Sequence, residues 1–201
     1  MLLTKKKRQE YLKALGYYNG AIDGIEGTKT KKAYKDLQKD YFTRKKDIDG
    51  VYGKNTDILL RSAYNCKDLK NFKLTEFKCQ CKTKYCTGYP VELSKDLVVN
   101  LDTLRDYYGK ATTIVSGMRC SQHNKNVGGS NSSRHKAGKA ADIYITGVSN
   151  SFEERKGIVD HWIETYKTSR YAYCNGYART KSKTTYPTVK TMGTSVHVDV
   201  K

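Results

Sequence analysis

The sequence predicts an α+β protein in two parts: a small three-helix module over residues 1–65 and a domain of mixed helices and strands over 74–201. Three observations predict it. Amphipathic helical patterns fill the first 65 residues and are linked by a repeated Asp-Gly motif. From Ser94 onward, helical periods alternate with short strand periods. Between the two, Asn65 to Lys73 is polar and aperiodic, so residues 66–73 read as a linker. It lacks Pro and any Gly/Ser run, so it is expected to be short, with the two parts able to touch.

In the first part, Tyr11, Leu12 and Leu15 form one apolar face, closed by Gly16. Ala33, Tyr34, Leu37 and Tyr41 form a second; Ile58, Leu59 and Ala63 form a third. The octets Asp23–Thr30 and Asp49–Thr56 both read D-G-apolar-x-G-x-x-T. Gly24 and Gly50 suit a tight turn after Asp, Gly27 and Gly53 suit a second turn, and Thr28 or Thr30 suits a helix cap.

In the second part, Ser94 opens a helix whose inner face is Leu97, Val98, Leu101, Leu104 and Tyr108, with Gly109 as its stop. Thr113–Ser116 reads as a buried strand running into Gly117-Met118-Arg119. An Arg at a strand end can project into a cleft and bind a carboxylate or carbonyl oxygen; taken alone, a surface Arg is the plainer reading. Asn126–Gly129 is a loop, and Asp142–Ile145 alternates as a strand with Asp142 at its start. Ser151 and Glu154 make a capping box for a helix burying Ile158, Val159, Trp162, Ile163 and Tyr166. A Tyr-rich stretch (Tyr171, Tyr173, Tyr177, Tyr186) and a polar loop, Arg179 to Thr185, lead to the terminal strand Val196–Val200.

The chemistry-bearing residues concentrate in two places. Ser133 to Asp142 holds a His and an Asp seven residues apart, with Gly138 between them allowing the chain to turn both toward one point. Zinc takes a neutral imidazole and a carboxylate, and a catalytic site keeps one position for water. On the terminal strand, His197 and Asp199 share the face opposite Val196, Val198 and Val200, and His197 is placed as the third ligand. His123 and His161 are read as structural. Cys79, Cys81 and Cys86 admit two readings: a metal site completed by Cys120 or Cys174, or reduced cysteines partly buried in a loop.

The formal net charge of +18 calls for an anionic partner. Charge alone would allow nucleic acid, but no helix-turn-helix, zinc-finger or RNA-binding signature accompanies it, so no nucleic acid is expected. No 18-residue apolar run exists, so no membrane span is expected. The start, MLLTKKKRQEYLKAL, lacks a signal-peptide core, which predicts accumulation in the cytoplasm and argues against an obligatory disulfide framework.

Residues 5 to 65, including LGYYNGAIDGIEGTKTKKAYKDLQ, resemble the peptidoglycan-binding domain of bacterial and phage cell-wall hydrolases. Residues 74 to 201 resemble the zinc peptidases that include D-Ala-D-Ala carboxypeptidases and L-Ala-D-Glu endopeptidases of phage lysins. The second resemblance rests on Ser116-Gly117-Met118-Arg119, on S-x-H-x-x-G-x-A-x-D over Ser133 to Asp142, and on His197-Val198-Asp199. It implies an α+β catalytic domain with a small antiparallel sheet carrying Zn2+ on His135, Asp142 and His197. It also implies Arg119 as the group binding substrate or oxyanion, and Ser133 as a substrate contact. Many members have an acidic general base three residues before the last His; here that position is Thr194. Asp199 is then either the base or the group that orients His197, and an acid from a distant loop such as Glu76 stays open. The implied activity is hydrolysis of an amide bond in the peptidoglycan stem peptide by a monomeric endolysin. An endopeptidase is favoured over a D-Ala-D-Ala carboxypeptidase or a non-catalytic wall-binding protein with a zinc site. The positive charge suits anionic polymers of a Gram-positive wall, and the missing signal suits release through a holin.

Overall fold

The computed structural model describes residues 1–187 and 191–201. The module is three helices: α1 (Lys5–Ala14), α2 (Thr28–Tyr41) and α3 (Lys54–Asn65). Leu12, Tyr34, Leu37, Leu59 and Leu60 are buried between them. The Asp-Gly repeat has a structural cause that lies outside the repeat. Buried Gln9 of α1 donates to Asp23 Oδ1 (2.9 Å) and the Ile25 carbonyl (3.1 Å) and accepts from the Gly24 N–H (2.8 Å). Gln38 of α2 does the same for Asp49 (2.9 Å), Val51 (3.1 Å) and Gly50 (2.7 Å). Gly24 and Gly50 sit at φ +81° and +73°, where a β-carbon is strained. Gly27 and Gly53 do not form second tight turns. Both are extended and act as N-caps of α2 and α3. Thr28 and Thr30 do not cap either. Thr30 and its repeat mate Thr56 are buried and bond back to the carbonyls of Ile25 and Val51.

Asp57 ties the amino terminus to α3. Its buried carboxylate accepts from Leu3 N–H (2.7 Å), Tyr52 hydroxyl (2.7 Å) and Arg61 Nε (2.7 Å). Burial alone would raise its pKa, but these donors outweigh that and hold the carboxyl below its ordinary value. A depressed folded-state pKa contributes stability that is complete above the unfolded value and lost as pH falls through the folded one. Asp57→Ala is therefore expected to cost about 1–3 kcal/mol at neutral pH, because Leu3 N–H, the Tyr52 hydroxyl and Arg61 lose their shared acceptor. Thermal melts should show the gap between variant and wild type closing below about pH 4.

In the second part, α4 (Lys95–Tyr108), α5 (Ser121–Asn126) and α6 (Phe152–Thr165) accompany six strands. The strands are β1 (Thr112–Ser116), β2 (Ala140–Ile145), β3 (Ser169–Cys174), β4 (Tyr177–Thr180), β5 (Thr184–Thr185) and β6 (Val196–Val200). They form one sheet in the order β1-β2-β6-β3-β4-β5, with every pair antiparallel. The α+β expectation with an antiparallel sheet holds. Two details differ from expectation. The strand carrying Asp142 begins earlier, at Ala140, and the polar stretch Arg179 to Thr185 is a β-hairpin rather than a plain loop.

Alternation gives the sheet two faces. Ile143, Ile145, Val196, Val198, Val200 and Ala172 are buried with Leu97, Leu101, Leu104, Ile158 and Trp162 from α4 and α6. The Trp162 indole N–H donates to the Asp199 carbonyl at 3.0 Å, locking α6 to β6. The capping box of α6 forms as expected, with Ser151 and Glu154 exchanging bonds. Gly109 ends α4 in the left-handed region.

The two parts meet directly. Asn65 at the end of α3 donates to the Leu93 carbonyl (2.8 Å), and Leu93 N–H donates to Ser62 Oγ (3.0 Å). Tyr89 packs edge-on against Tyr41, and Phe72 in the connecting stretch is buried. The buried apolar residues of both parts form one continuous cluster. No helix among the described residues is long and apolar enough to cross a membrane.

Candidate metal centre

Sheet register assembles most of the site. Asp142 on β2 lies opposite Ser116 on β1 and His197 on β6, and His197 lies opposite Tyr173 on β3. Cross-strand partners point to the same face, so Ser116, Asp142, His197 and Tyr173 form one row on the face away from α4 and α6. His135 arrives from outside the sheet, on a short 3-10 turn over Arg134–Ala137. Gly138 makes that arrival possible. It sits at φ +66°, and a β-carbon there would lie 2.0 Å from the Glu92 carbonyl.

The donor atoms converge. His135 Nε2 is 3.3 Å from Asp142 Oδ1 and 3.3 Å from His197 Nδ1, and His197 Nδ1 is 2.8 Å from Asp142 Oδ1. Nitrogen and oxygen ligands bound tetrahedrally at about 2.05 Å stand about 3.3 Å apart. Two edges of the triangle match that length and the third is slightly shorter. The protonation pattern points the same way. His135 Nδ1 faces the Gly117 carbonyl at 2.7 Å, which can only accept, so Nδ1 carries the proton and Nε2 presents a lone pair. A lone pair, a carboxylate oxygen and a second imidazole nitrogen aimed at one point make a donor set for a cation. All three side chains are buried. These residues fit a metal ion.

Electrostatics favour ligation at Asp142 and His135, while His197 gives up a proton on binding. Burial raises the Asp142 carboxyl, but the two imidazoles packed against it, His135 and His197, outweigh it and hold the group well below the carboxylate range, ionised. Burial pulls His135 below its ordinary value, keeping it neutral, as ligation requires. Burial pulls His197 down too, but Asp142 and Asp199 on its two sides leave it above its ordinary value.

Around this centre, Arg119 is partly committed. Its Nη2 donates to Asp142 Oδ2 at 2.5 Å and its Nε to Ser116 Oγ at 2.8 Å. Asp199 sits behind His197, its Oδ2 3.7 Å from the far ring nitrogen Nε2. Both Asp199 oxygens are occupied. Oδ1 accepts from Arg170 Nε (3.1 Å) and Tyr171 N–H (2.9 Å), and Oδ2 accepts from the other end of the Arg170 fork. Asp199 is fully buried and lies on the side of His197 away from Asp142. Tyr173 stacks on the His197 ring at 4.6 Å. Ser133 is half-buried and precedes the turn that carries His135. Thr194 is exposed. Glu76 is turned away, accepting from Lys73 N–H at 2.7 Å.

A cavity of about 210 Å³ opens beside Asp142, walled in part by Gln80, Ser116, Arg119, His123 and Ser195. His123, read from the sequence as structural, lines this cavity. Its only sequence signal was its place four residues after Arg119. His161 lies on α6, stacked on Tyr107 at 3.9 Å. Three larger cavities are present among the described residues; one of about 240 Å³ is walled in part by Tyr64, Lys95 and Asp102, and two are larger still. One of about 430 Å³ follows the junction of the two parts, between Arg44, Lys54, Arg119 and Lys136. The other, about 710 Å³, lies within the module and is walled in part by Arg8, Lys31, Lys35 and Tyr52. The larger volumes do not mark the chemistry; the donor triangle does.

A family model described as Peptidase M15 matches residues 70–199. A second, described as a putative peptidoglycan binding domain, matches residues 6–56. Among curated proteins, none matches the chain.

Proposed function

The chain belongs to the peptidase M15 family, and on that premise we propose that it is a zinc endopeptidase that cuts within the stem peptide of peptidoglycan, a lysin with its own wall-binding module. That it is a metallopeptidase acting on peptidoglycan follows from the two matched families. The observation that carries the finer reading is the buried His135–Asp142–His197 triangle, with edges of 3.3, 3.3 and 2.8 Å.

A zinc ion held there supplies Lewis acidity toward an amide carbonyl and lowers the pKa of water to about 7. The residues do the rest. Gly117 and Asp199 fix the orientations of His135 and His197. Arg119 steadies Asp142 through one nitrogen and borders the open cavity, where its charge offsets the negative charge that develops on the scissile carbonyl. Ser133, next to the ligand turn, is assigned a substrate contact. Proton transfer needs a group on the cavity wall. Among the described lining residues the titratable ones are Arg119, His123 and Asp142, and two of these are already engaged. His123 is assigned the proton that moves from water to the leaving amine. Asp199 is assigned the positioning of His197.

These assignments separate by experiment. His123→Asn is expected to lower kcat by about 10²-fold with metal content unchanged. Asp199→Asn is expected to weaken zinc binding about 10- to 100-fold, with the rate restored by excess zinc. An Asp199→Asn variant that binds zinc normally yet turns over slowly would make Asp199 the base instead.

Arg119 borders both the cavity at the metal centre and the cationic junction cleft. A peptide can therefore run past the centre in both directions, which favours internal cuts. The junction cations suit the carboxylates of a stem peptide, and the module's lysines suit anionic wall polymers. Mass spectrometry of digested muropeptides tests the bond. Fragments cut inside the stem support the endopeptidase. Loss of a terminal D-Ala alone would make the enzyme a carboxypeptidase, and an unchanged digest would leave a wall-binding protein.

A further inference from the structure

A second cluster of metal-binding chemistry lies outside the site just described. Cys79, Cys81, Cys86 and Cys120 bring their four Sγ atoms within 4.8 Å of one another. Cys81 and Cys86 are 3.4 Å apart. Sulfurs bound tetrahedrally to zinc at about 2.3 Å stand about 3.8 Å apart, so the cluster has the size of that cage. Two disulfides would instead pair the sulfurs at about 2 Å and leave no reason for all four to gather. The alternative of buried cysteines filling a core does not describe them either. They form a buried cluster of their own, separate from the main core and containing no other buried apolar residue. Cys66 and Cys174 show the contrast: each is a single thiol inside the main core, and burial pushes Cys66 up to about 12.

The backbone around the cluster is arranged for anionic sulfur. The N–H groups of Gly88, Cys120 and His123 point at the sulfurs of Cys86, Cys79 and Cys120, each at 3.4 Å. Between Cys81 and Cys86 the chain passes through Lys82 and Thr83 at φ +51° and +60°. Two successive non-glycine residues in the left-handed region are unfavourable and persist only where the surroundings fix them. Four sulfurs on one ion would fix this loop.

We propose that Cys79, Cys81, Cys86 and Cys120 bind a structural zinc ion as a closed four-thiolate site. Loading replaces four S–H protons by one Zn2+, leaving a local charge of −2 beside Lys82 and Lys84. The ion joins the loop that carries Gln80 to the residue that follows Arg119. Both Gln80 and Arg119 wall the cavity at the first centre. The site is therefore a clamp that sets the position of Arg119 without touching substrate.

The test is metal stoichiometry, which does not depend on activity or on the bond cut. Wild-type protein purified without chelator is expected to carry two zinc ions per chain, and His135→Ala one. Titrating His135→Ala with an organomercurial should release that one ion as four thiols are consumed. Cobalt(II) exchanged into the same variant should give thiolate-to-metal charge-transfer bands. A Cys81→Ser, Cys86→Ser double variant should lose one ion, but the proposal does not depend on that variant folding. His135→Ala protein free of metal, or denatured non-reduced wild type lighter by two hydrogens for each bridge, would overturn it.

Discussion

Replacing His135 by alanine is expected to lower hydrolysis of wall peptides by at least about 10³-fold, because the Lewis acidity of a bound metal contributes several kcal/mol to the transition state. The same change should remove one metal ion and leave wall pelleting intact, since the module's turns are held by its own Gln9 and Gln38. The triangle explains why two remaining ligands do not suffice. Asp142 and His197 face each other across one sheet pair at 2.8 Å, and only His135 supplies the other two edges. His197→Ala should behave alike. A His135 variant that hydrolyses wall peptides at the wild-type rate would remove the metal assignment altogether.

Arg119→Ala carries the second large effect, about 10²- to 10³-fold in kcat. Arg119 could act in two ways, and the structure contains both. It holds Asp142 Oδ2, and it borders the cavity beside the centre. If its work were only to hold Asp142, the loss would appear as weaker metal binding, and excess zinc would restore the rate. If its charge meets the substrate, saturating zinc leaves the loss in place, which is the expected result. Arg119→Lys should recover little, because a lysine cannot bond Ser116 and Asp142 as a fork while still presenting charge to the cavity.

Much of this centre was legible in the sequence because its parts follow local rules. The seven-residue spacing with Gly138 placed His135 near Asp142, and strand alternation put His197 and Asp199 on one face. The role of Asp199 was not legible. Its availability depends on Arg170, a β3 residue brought alongside by sheet pairing 29 positions away in sequence. Tyr171, Tyr173 and Tyr177 read as a Tyr-rich stretch, although Asn175-Gly176 between β3 and β4 is a two-residue hairpin signal. The place of His123 on the cavity wall was not legible either, because a cavity belongs to no single segment. The module shows the same limit. Its Asp-Gly turns were visible, but the Gln9 and Gln38 clamps that hold them act from a preceding helix. The cysteine cluster needed Cys120, 34 residues beyond Cys86, so spacing alone left both readings open.

The most direct measurement is release of free amino groups from purified peptidoglycan by the wild-type chain, first stripped of metal by a chelator and then resupplied with zinc. New amines should be absent after stripping, return with zinc, and fail to return in His135→Ala. Amine release that persists in the stripped protein, or equal release from His135→Ala, would contradict a metal centre built on His135, Asp142 and His197.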